Sequence, residues 1–154
     1  MDLTKLKDIA TIIGVAVGLF ALVKGIFEYK RQGAQKRAEH FLQMRKRLKE
    51  NETFKKIAGL LETDDNKLIS IPFKEKRDYL GLFEEVAIMM NSNLIKKEVA
   101  HYMFGYYAIK CWDSDNFWNG VNRDSIYWKV FENFVYKMKY IERNYSFSME
   151  NYKF

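Results

Sequence analysis

Residues 9–27 form an apolar stretch of nineteen residues with a single charged side chain, Lys24. As an α-helix this stretch would be about 28 Å long, close to the hydrocarbon thickness of a bilayer. No small-residue cleavage site separates it from the basic residues that follow, which argues against a cleaved signal peptide. We therefore predict a retained transmembrane helix. The alternatives are a signal peptide and a hydrophobic helix buried inside the protein.

Small residues recur along this predicted span at spacings of three, four, three and four. This spacing places them on one side of the helix, where the missing side chains let two helix backbones approach closely. The stripe predicts that the span self-associates. Because glycine is frequent in transmembrane helices, incidental small residues are the alternative. The residues of the small-residue stripe are Thr11, Gly14, Gly18, Ala21 and Gly25.

The net positive charge of the chain comes from its N-terminal part. The net charge is +6, whereas residues 51–154 carry 15 basic and 15 acidic side chains. Eight basic residues lie between positions 28 and 50, and a basic flank marks the cytoplasmic end of a transmembrane helix. We therefore predict that the N-terminus lies outside and the bulk of the protein lies in the cytosol. The residues assigned to this topology signal, or to lipid headgroups, are Lys30, Arg31, Lys36 and Arg37.

The basic run and Lys24 each have alternative interpretations. The run can bind anionic lipid, worth about 1 kcal/mol per basic residue near the surface, or it can bind nucleic acid. The neutral C-terminal part has no basic patch interleaved with aromatic residues, which disfavours nucleic acid. We interpret Lys24 as extending to the headgroups. The alternative is a ring of Lys24 side chains at the mouth of an assembled pore.

The remaining chain is predicted to be helical. One proline and eight glycines in 154 residues favour long helices. We predict an all-α fold in three parts: an N-terminal tail and transmembrane helix over 1–27, a basic juxtamembrane helix over 28–50, and a cytosolic all-α domain over 51–154. Within the domain we predict helices over 52–62, 72–90, 94–112 and from 124 or 125 to 143, an extended piece over 67–71, and a loop over 113–122.

Helical spacing also predicts which side chains face the core. For the helix over 94–112 the predicted inward residues are Ile95, Val99, Tyr102, Tyr106 and Ile109. For the last helix they are Tyr127, Val130, Phe134, Met138 and Ile141. The sequence 91–93 is predicted to cap the helix that follows it.

Residues that could carry catalysis are few. His40 and His101 lie on different predicted helices, and the single cysteine, Cys111, suits a reducing compartment. No paired-cysteine motif, zinc-protease motif, phosphate-binding glycine loop or nucleophile elbow is present. Glu84 and Glu85 are adjacent on one helix and face different directions, which favours a solvated or capping role. We therefore predict no enzyme activity, no metal, no cofactor and no small-molecule substrate.

Three short blocks carry a family resemblance: 79–87 (YLGLFEEVA), 91–95 (NSNLI) and 104–107 (FGYY). They resemble small bacterial single-span membrane proteins that have a basic helix after the span, a helical cytosolic domain and no assigned enzymatic activity. The layout is also similar to that of the accessory membrane proteins found beside type VI-B CRISPR effectors. The resemblance implies a homo-oligomer in the bacterial inner membrane that alters permeability in antiviral defence. It also implies membrane lipid, a CRISPR effector or RNA as partners.

The CRISPR accessory group is also compared with HEPN domains, whose ribonuclease motif joins an arginine and a polar residue to a histidine three to five residues later. Arg143-Asn144 and Arg123-Asp124 are the candidates, and neither is followed by that histidine. Because the general acid–base group is missing, we interpret Arg143 and Asn144 as degenerate HEPN-like residues.

Three functional hypotheses follow from the sequence. The first is a membrane effector that forms or gates a pore. The second is a membrane-tethered helical adaptor that binds RNA or protein, and the third is an HEPN-like ribonuclease. For the adaptor, the candidate contact residues are Tyr106, Tyr107, Trp112, Phe117 and Trp118.

Overall fold

A computed structural model describes residues 3–144 together with Ser148 and Glu150, with side chains described from Thr11 onward. The described chain is all-α, as predicted, and contains no β-strand. Short 3-10 or π segments connect some of the α-helices. The α-helices are α1 (Leu3–Glu50), α2 (Glu52–Glu62), α3 (Phe73–Asn91), α4 (Lys97–Ala100), α5 (Tyr106–Asp113), α6 (Asp115–Trp118) and α7 (Lys129–Arg143).

Contacts within the chain define two compact units, Met1–Lys36 and Arg37–Phe154. The second unit, called here the helical domain, includes the last turns of α1. It does so because Phe41, Met44 and Leu48 are buried in the hydrophobic core. The predicted juxtamembrane segment 28–50 is therefore divided between the two units.

The first unit is helical from Leu3 onward, and Gly33 does not interrupt α1. Among the described residues, α1 is the one helix long and apolar enough to cross a membrane. Its most apolar 18-residue window has a mean hydropathy of 1.9, and none of that window is buried. The helix α1 therefore has the length and the apolar composition that the sequence predicts for a transmembrane helix.

The helix α2 begins and ends where the sequence predicts. The Asn51 side-chain oxygen accepts a hydrogen bond from the Phe54 amide at 3.0 Å, which caps the first turn. The predicted extended piece over 67–71 is wrong. Asn66–Ser70 is instead a 3-10 helix, because the Asp65 carboxylate accepts from the Lys67 amide at 2.8 Å and so closes a tight turn.

The helix α3 follows Pro72 as predicted, but residues 91–93 end α3 and do not cap the next helix. Asn93 adopts a left-handed backbone conformation with φ 54°. The Leu94 amide then donates to the Met89 carbonyl at 2.9 Å, which satisfies an end carbonyl of α3. The next helix starts at Lys97, after an N-cap residue that makes no side-chain cap.

A π segment, His101–Gly105, joins α4 to α5 and changes which side chains face the core. A π turn fits one extra residue into the helix, so every later position is rotated by about 100°. Tyr102 and Tyr106, predicted to point inward, are exposed. Phe104, Ala108 and Cys111 are buried in their place.

The predicted loop over 113–122 contains the short helix α6, capped by the Ser114 hydroxyl, which accepts from the Phe117 amide at 2.9 Å. A 3-10 turn, Ile126–Trp128, precedes α7. Within α7, Phe134 and Met138 are buried as predicted. The 3-10 turn has 3.0 and not 3.6 residues per turn, and it places Trp128 instead of Tyr127 on the buried side. Tyr127 and Val130 are exposed, contrary to prediction. Trp128, Phe131, Phe134, Val135 and Met138 are buried.

Edge-to-face aromatic pairs connect the helices of the domain. The Tyr79 ring centroid lies 5.3 Å from that of Phe54 and 5.2 Å from that of Phe83. The rings of Phe41 and Phe104 are 5.3 Å apart, which joins α1 to the π segment. Such pairs contribute about 0.5–1.5 kcal/mol each beyond the area they bury.

Candidate functional site

The small-residue stripe of α1 is open. A Cβ atom added at Gly14, Gly18 or Gly25 would meet no atom within 4 Å in the described part of the chain. The five stripe positions fall within about 80° around the helix axis. At these three glycines the stripe is therefore open to another helix backbone, as far as the described residues show.

Large apolar side chains cover the other sides of the same helix. Phe20 and Phe27 are exposed, Phe20 to 72%. Lys24 lies about 90° around the axis from the middle of the stripe, so it flanks the stripe and does not belong to it. The segment thus has one thin side and one bulky side, with its single charge between them.

After the apolar segment, Arg31 makes a bidentate ion pair with Glu28. The Nε–Oε2 and Nη2–Oε1 distances are 3.0 and 2.7 Å. The hydrogen bonds from Arg31 and Gln32 lower the pKa of the Glu28 carboxyl. In the described part of the chain no carboxylate lies within 4.0 Å of the Lys30 or Lys36 ammonium. These two lysines therefore carry the uncompensated charge of this flank.

Two other basic residues of α1 support the helical domain. Arg45 donates to the Met103 carbonyl in the π segment, and its guanidinium carbon lies 5.7 Å from the Tyr107 ring centroid. Arg47 pairs with Glu85 at 2.9 Å. The neighbouring Glu84 is half-buried, and this burial raises its pKa. Part of the basic run therefore holds α1 against the domain.

The degenerate HEPN-like residues lie at the end of α7. The Asn144 side-chain amide donates to the Tyr140 carbonyl at 2.8 Å, which caps the helix. Arg143 is exposed. Arg123 donates to the Trp112 carbonyl at 3.0 Å, and its guanidinium lies 5.7 Å from the Trp112 ring centroid. Asn144 and Arg123 therefore have structural roles.

Neither histidine joins a cluster with metal-binding geometry. Among the side chains that the structure describes, no group of three or more His, Cys, Asp or Glu could hold a metal ion. His40 is exposed. Burial lowers the pKa of the half-buried His101 imidazole. It raises the pKa of the fully buried Cys111 thiol.

The aromatic residues proposed for an adaptor surface do not form one. Phe117 and Trp118 are buried in the core. Tyr107 and Trp112 are half-buried and pack against the core. Tyr106 is exposed, and its hydroxyl donates to the Glu62 carboxylate. The tryptophans and phenylalanine are hence mainly structural.

Two features of the domain have no counterpart in the sequence analysis. Lys76 is only 2% exposed, and its ammonium donates to the Asn119 carbonyl at 3.1 Å. Burial lowers the pKa of Lys76. The second feature is a cavity of about 870 Å³ lined by residues of α1, α3, α4 and α7. In the sequence, the available signal for this cavity was the pair Tyr136 and Tyr140, which are four residues apart and therefore lie on one side of a helix.

No family model, no curated protein and no solved structure matches this chain.

Proposed function

We propose that this protein is anchored in a bacterial inner membrane by α1, self-associates through the small-residue stripe, and alters membrane permeability in antiviral defence. The observation that carries this proposal is an apolar helix whose glycines Gly14, Gly18 and Gly25 have open space beside them in the described part of the chain. An enzyme activity forms no part of the proposal.

Membrane insertion is supported by the exposure of large apolar side chains. Ten of them between positions 12 and 27 are exposed. Removing a fully exposed side chain of this kind from water is worth about 1.5–3 kcal/mol, so the ten together favour lipid by on the order of 10 kcal/mol. The ten residues are Ile12, Ile13, Val15, Val17, Leu19, Phe20, Leu22, Val23, Ile26 and Phe27.

Orientation follows from the charged flank. Lys30 and Lys36, which have no carboxylate partner among the described residues, come directly after the apolar segment. Basic residues at this position retain their end of a span on the cytoplasmic side. The proposal therefore places the N-terminus outside and the helical domain in the cytosol.

Self-association is supported by the thin side of the helix. In lipid, helices associate through close backbone packing, which small residues allow. If several spans form a ring, the apolar side chains beside the stripe would line a narrow lumen. Such a lumen gates by dewetting. Lys24 would then lie at the rim or extend to the headgroups.

The decisive variant is Gly18→Leu, which fills the middle of the stripe. Its matched control is Ala16→Leu, a similar increase in size about 160° around the helix. We expect wild type and Ala16→Leu to form oligomers in detergent and to depolarise cells once triggered. Gly18→Leu should be monomeric and leave cells polarised. Particle mass and membrane potential are the measurements.

Each part of the proposal fails on a different result. A wild-type particle with the mass of one chain removes self-association. An unchanged Gly18→Leu oligomer shows that the stripe is not the interface. If cells stay polarised while the protein is abundant and antiviral protection is intact, the pore hypothesis is wrong.

A second candidate is a membrane-tethered helical adaptor, favoured by the cavity of the helical domain. It requires a monomeric span and a defined RNA or protein that copurifies with the full chain. The HEPN-like ribonuclease is tested by Arg143→Ala, which would abolish RNA cleavage if Arg143 were catalytic. We expect no cleavage by either protein.

A further inference from the structure

The cavity of the helical domain opens between the end of α3, the start of α4 and α7. Its volume of about 870 Å³ falls within the range of small-molecule sites. Apolar side chains contribute to its wall, and Met90 and Ile95 among them are buried. The cavity therefore offers an apolar surface to a ligand.

Positive charge is concentrated at this cavity. Among the described residues, four basic side chains and one carboxylate, that of Glu98, line it. The Lys96 ammonium donates to the Glu150 carbonyl at 3.0 Å and the Lys137 ammonium donates to the Asn91 side-chain oxygen at 2.8 Å. Both acceptors are neutral, so these charges remain uncompensated. The four basic residues are Arg37, Lys96, Lys97 and Lys137.

One carboxylate cannot balance this group. Glu98 lies 3.9 Å from Lys97, its neighbour in the sequence. In the described part of the chain no carboxylate comes within 4.0 Å of the basic groups of Arg37, Lys96 or Lys137. Since residues 51–154 are neutral overall, this is a local excess of positive charge, which selects an anion.

Two tyrosines add aromatic rings beside the charges, and the Tyr136 ring centroid lies 6.2 Å from that of Trp112. Tyr136 and Tyr140 are four residues apart on α7 and therefore share one side of the helix. They are 55% and 65% exposed. Exposed aromatic rings next to lysines are the combination that stacks a nucleobase and holds its phosphates.

We propose that this cavity binds a nucleotide, with its phosphates near Lys96 and Lys137 and its base against Tyr140. The site is independent of the small-residue stripe and goes beyond the proposed membrane function. The nucleotide is a ligand of the helical domain and undergoes no reaction in this proposal.

The test is calorimetric titration of the full chain in maltoside micelles at low salt. The probes are ATP, inorganic pyrophosphate, a single-stranded RNA tetranucleotide and short-chain phosphatidic acid. Variants are Lys96→Gln with Lys137→Gln, and separately Tyr140→Ala. The matched control is Lys56→Gln with Lys74→Gln, two exposed lysines outside the cavity. Tryptophan fluorescence verifies that each variant is folded.

We expect ATP to bind at least tenfold more tightly than pyrophosphate. The double lysine variant should weaken the binding of both ligands by tenfold or more. Tyr140→Ala should lower the affinity for ATP to that for pyrophosphate. The control should bind as wild type does. Absence of ATP binding overturns the proposal, as does equal binding of ATP and pyrophosphate. Binding confined to phosphatidic acid, or to the tetranucleotide, overturns it in favour of a lipid or single-stranded RNA.

Discussion

The apolar segment of α1 and the core of the helical domain are both rich in large apolar side chains, but they differ in what covers those side chains. Between residues 12 and 27 the large apolar side chains are exposed and the glycines meet no neighbour. In the domain, Tyr79, Phe83 and Phe104 are completely buried among other rings. Apolar composition therefore identifies burial only when the solvent is known. The helical domain buries its apolar side chains away from water within itself. The exposed apolar side chains of α1 are of the kind that suits lipid.

The first prediction applies the same substitution to each region. Phe83 is fully buried, with its ring centroid 5.2 Å from that of Tyr79 and 5.6 Å from that of Phe131. Phe83→Ala should lower the free energy of unfolding by about 3–5 kcal/mol, because it removes buried contacts and leaves a cavity. The measurement is urea unfolding of the full chain in micelles, followed by tryptophan fluorescence.

The matched variant is Phe20→Ala. Phe20 is exposed and all three tryptophans lie in the helical domain, so the fluorescence transition should move by less than about 0.5 kcal/mol. A similar loss in both variants would mean that the apolar segment stabilises the domain, and the contrast between the two regions would collapse.

The second prediction concerns the part of α1 that belongs to the domain. Arg45→Met retains an apolar stem but removes the hydrogen bond to the Met103 carbonyl and the charge beside the Tyr107 ring. A hydrogen bond to a charged group contributes about 1.5–3 kcal/mol, so we expect a loss of that size.

Lys49→Met is the control for this charge removal, because Lys49 is exposed near the end of the same helix. It should leave the urea midpoint nearly unchanged. Equal effects of Arg45→Met and Lys49→Met would show that charge near the end of α1, and not the contact with the π segment, stabilises the domain.

The smallest expected effect is on pH dependence. Burial lowers the pKa of His101 below 6.5, and the Glu142 carboxylate only partly opposes this change. As pH falls below about 6.5, the unfolded chain binds a proton that the folded domain resists. Stability is therefore lost on acidification from pH 7.5 to 5.5. The raised pKa of Glu84 acts in the opposite direction as pH falls further.

Unfolding of wild type, His101→Gln and His40→Gln at several pH values separates these contributions. His101→Gln should lose less stability on acidification than wild type, whereas His40→Gln should follow wild type because His40 is exposed. Parallel curves for all three proteins would assign the pH dependence to other groups.

The positions of the longer helices were predictable from the sequence, but the short helices and part of two helix faces were not. Pro72 and the apolar spacing marked α2 and α3 correctly. Spacing rules assume 3.6 residues per turn throughout. The π segment before α5 and the 3-10 turn before α7 break that assumption, and each rotates the helix that follows. Tyr106 and Tyr127 were assigned to the core for that reason.

The candidate sites differ in the same way. The small-residue stripe needs only one helix, so its residues could be identified from spacing alone. The cavity brings together Arg37, Asn91, Lys96 and Lys137 from separate elements, and no local pattern connects them. The Lys76–Asn119 hydrogen bond likewise joins residues 43 positions apart.

The burial of Cys111 has a practical consequence. The chain has one thiol, that of Cys111, which is fully buried and has a raised pKa. A water-soluble thiol reagent therefore does not reach it while the domain is folded. A cysteine introduced anywhere on the surface would therefore be the single reactive site. Cysteines placed one at a time along α1 could then report, by cross-linking between copies, which side of each helix faces its neighbour, with no background to subtract.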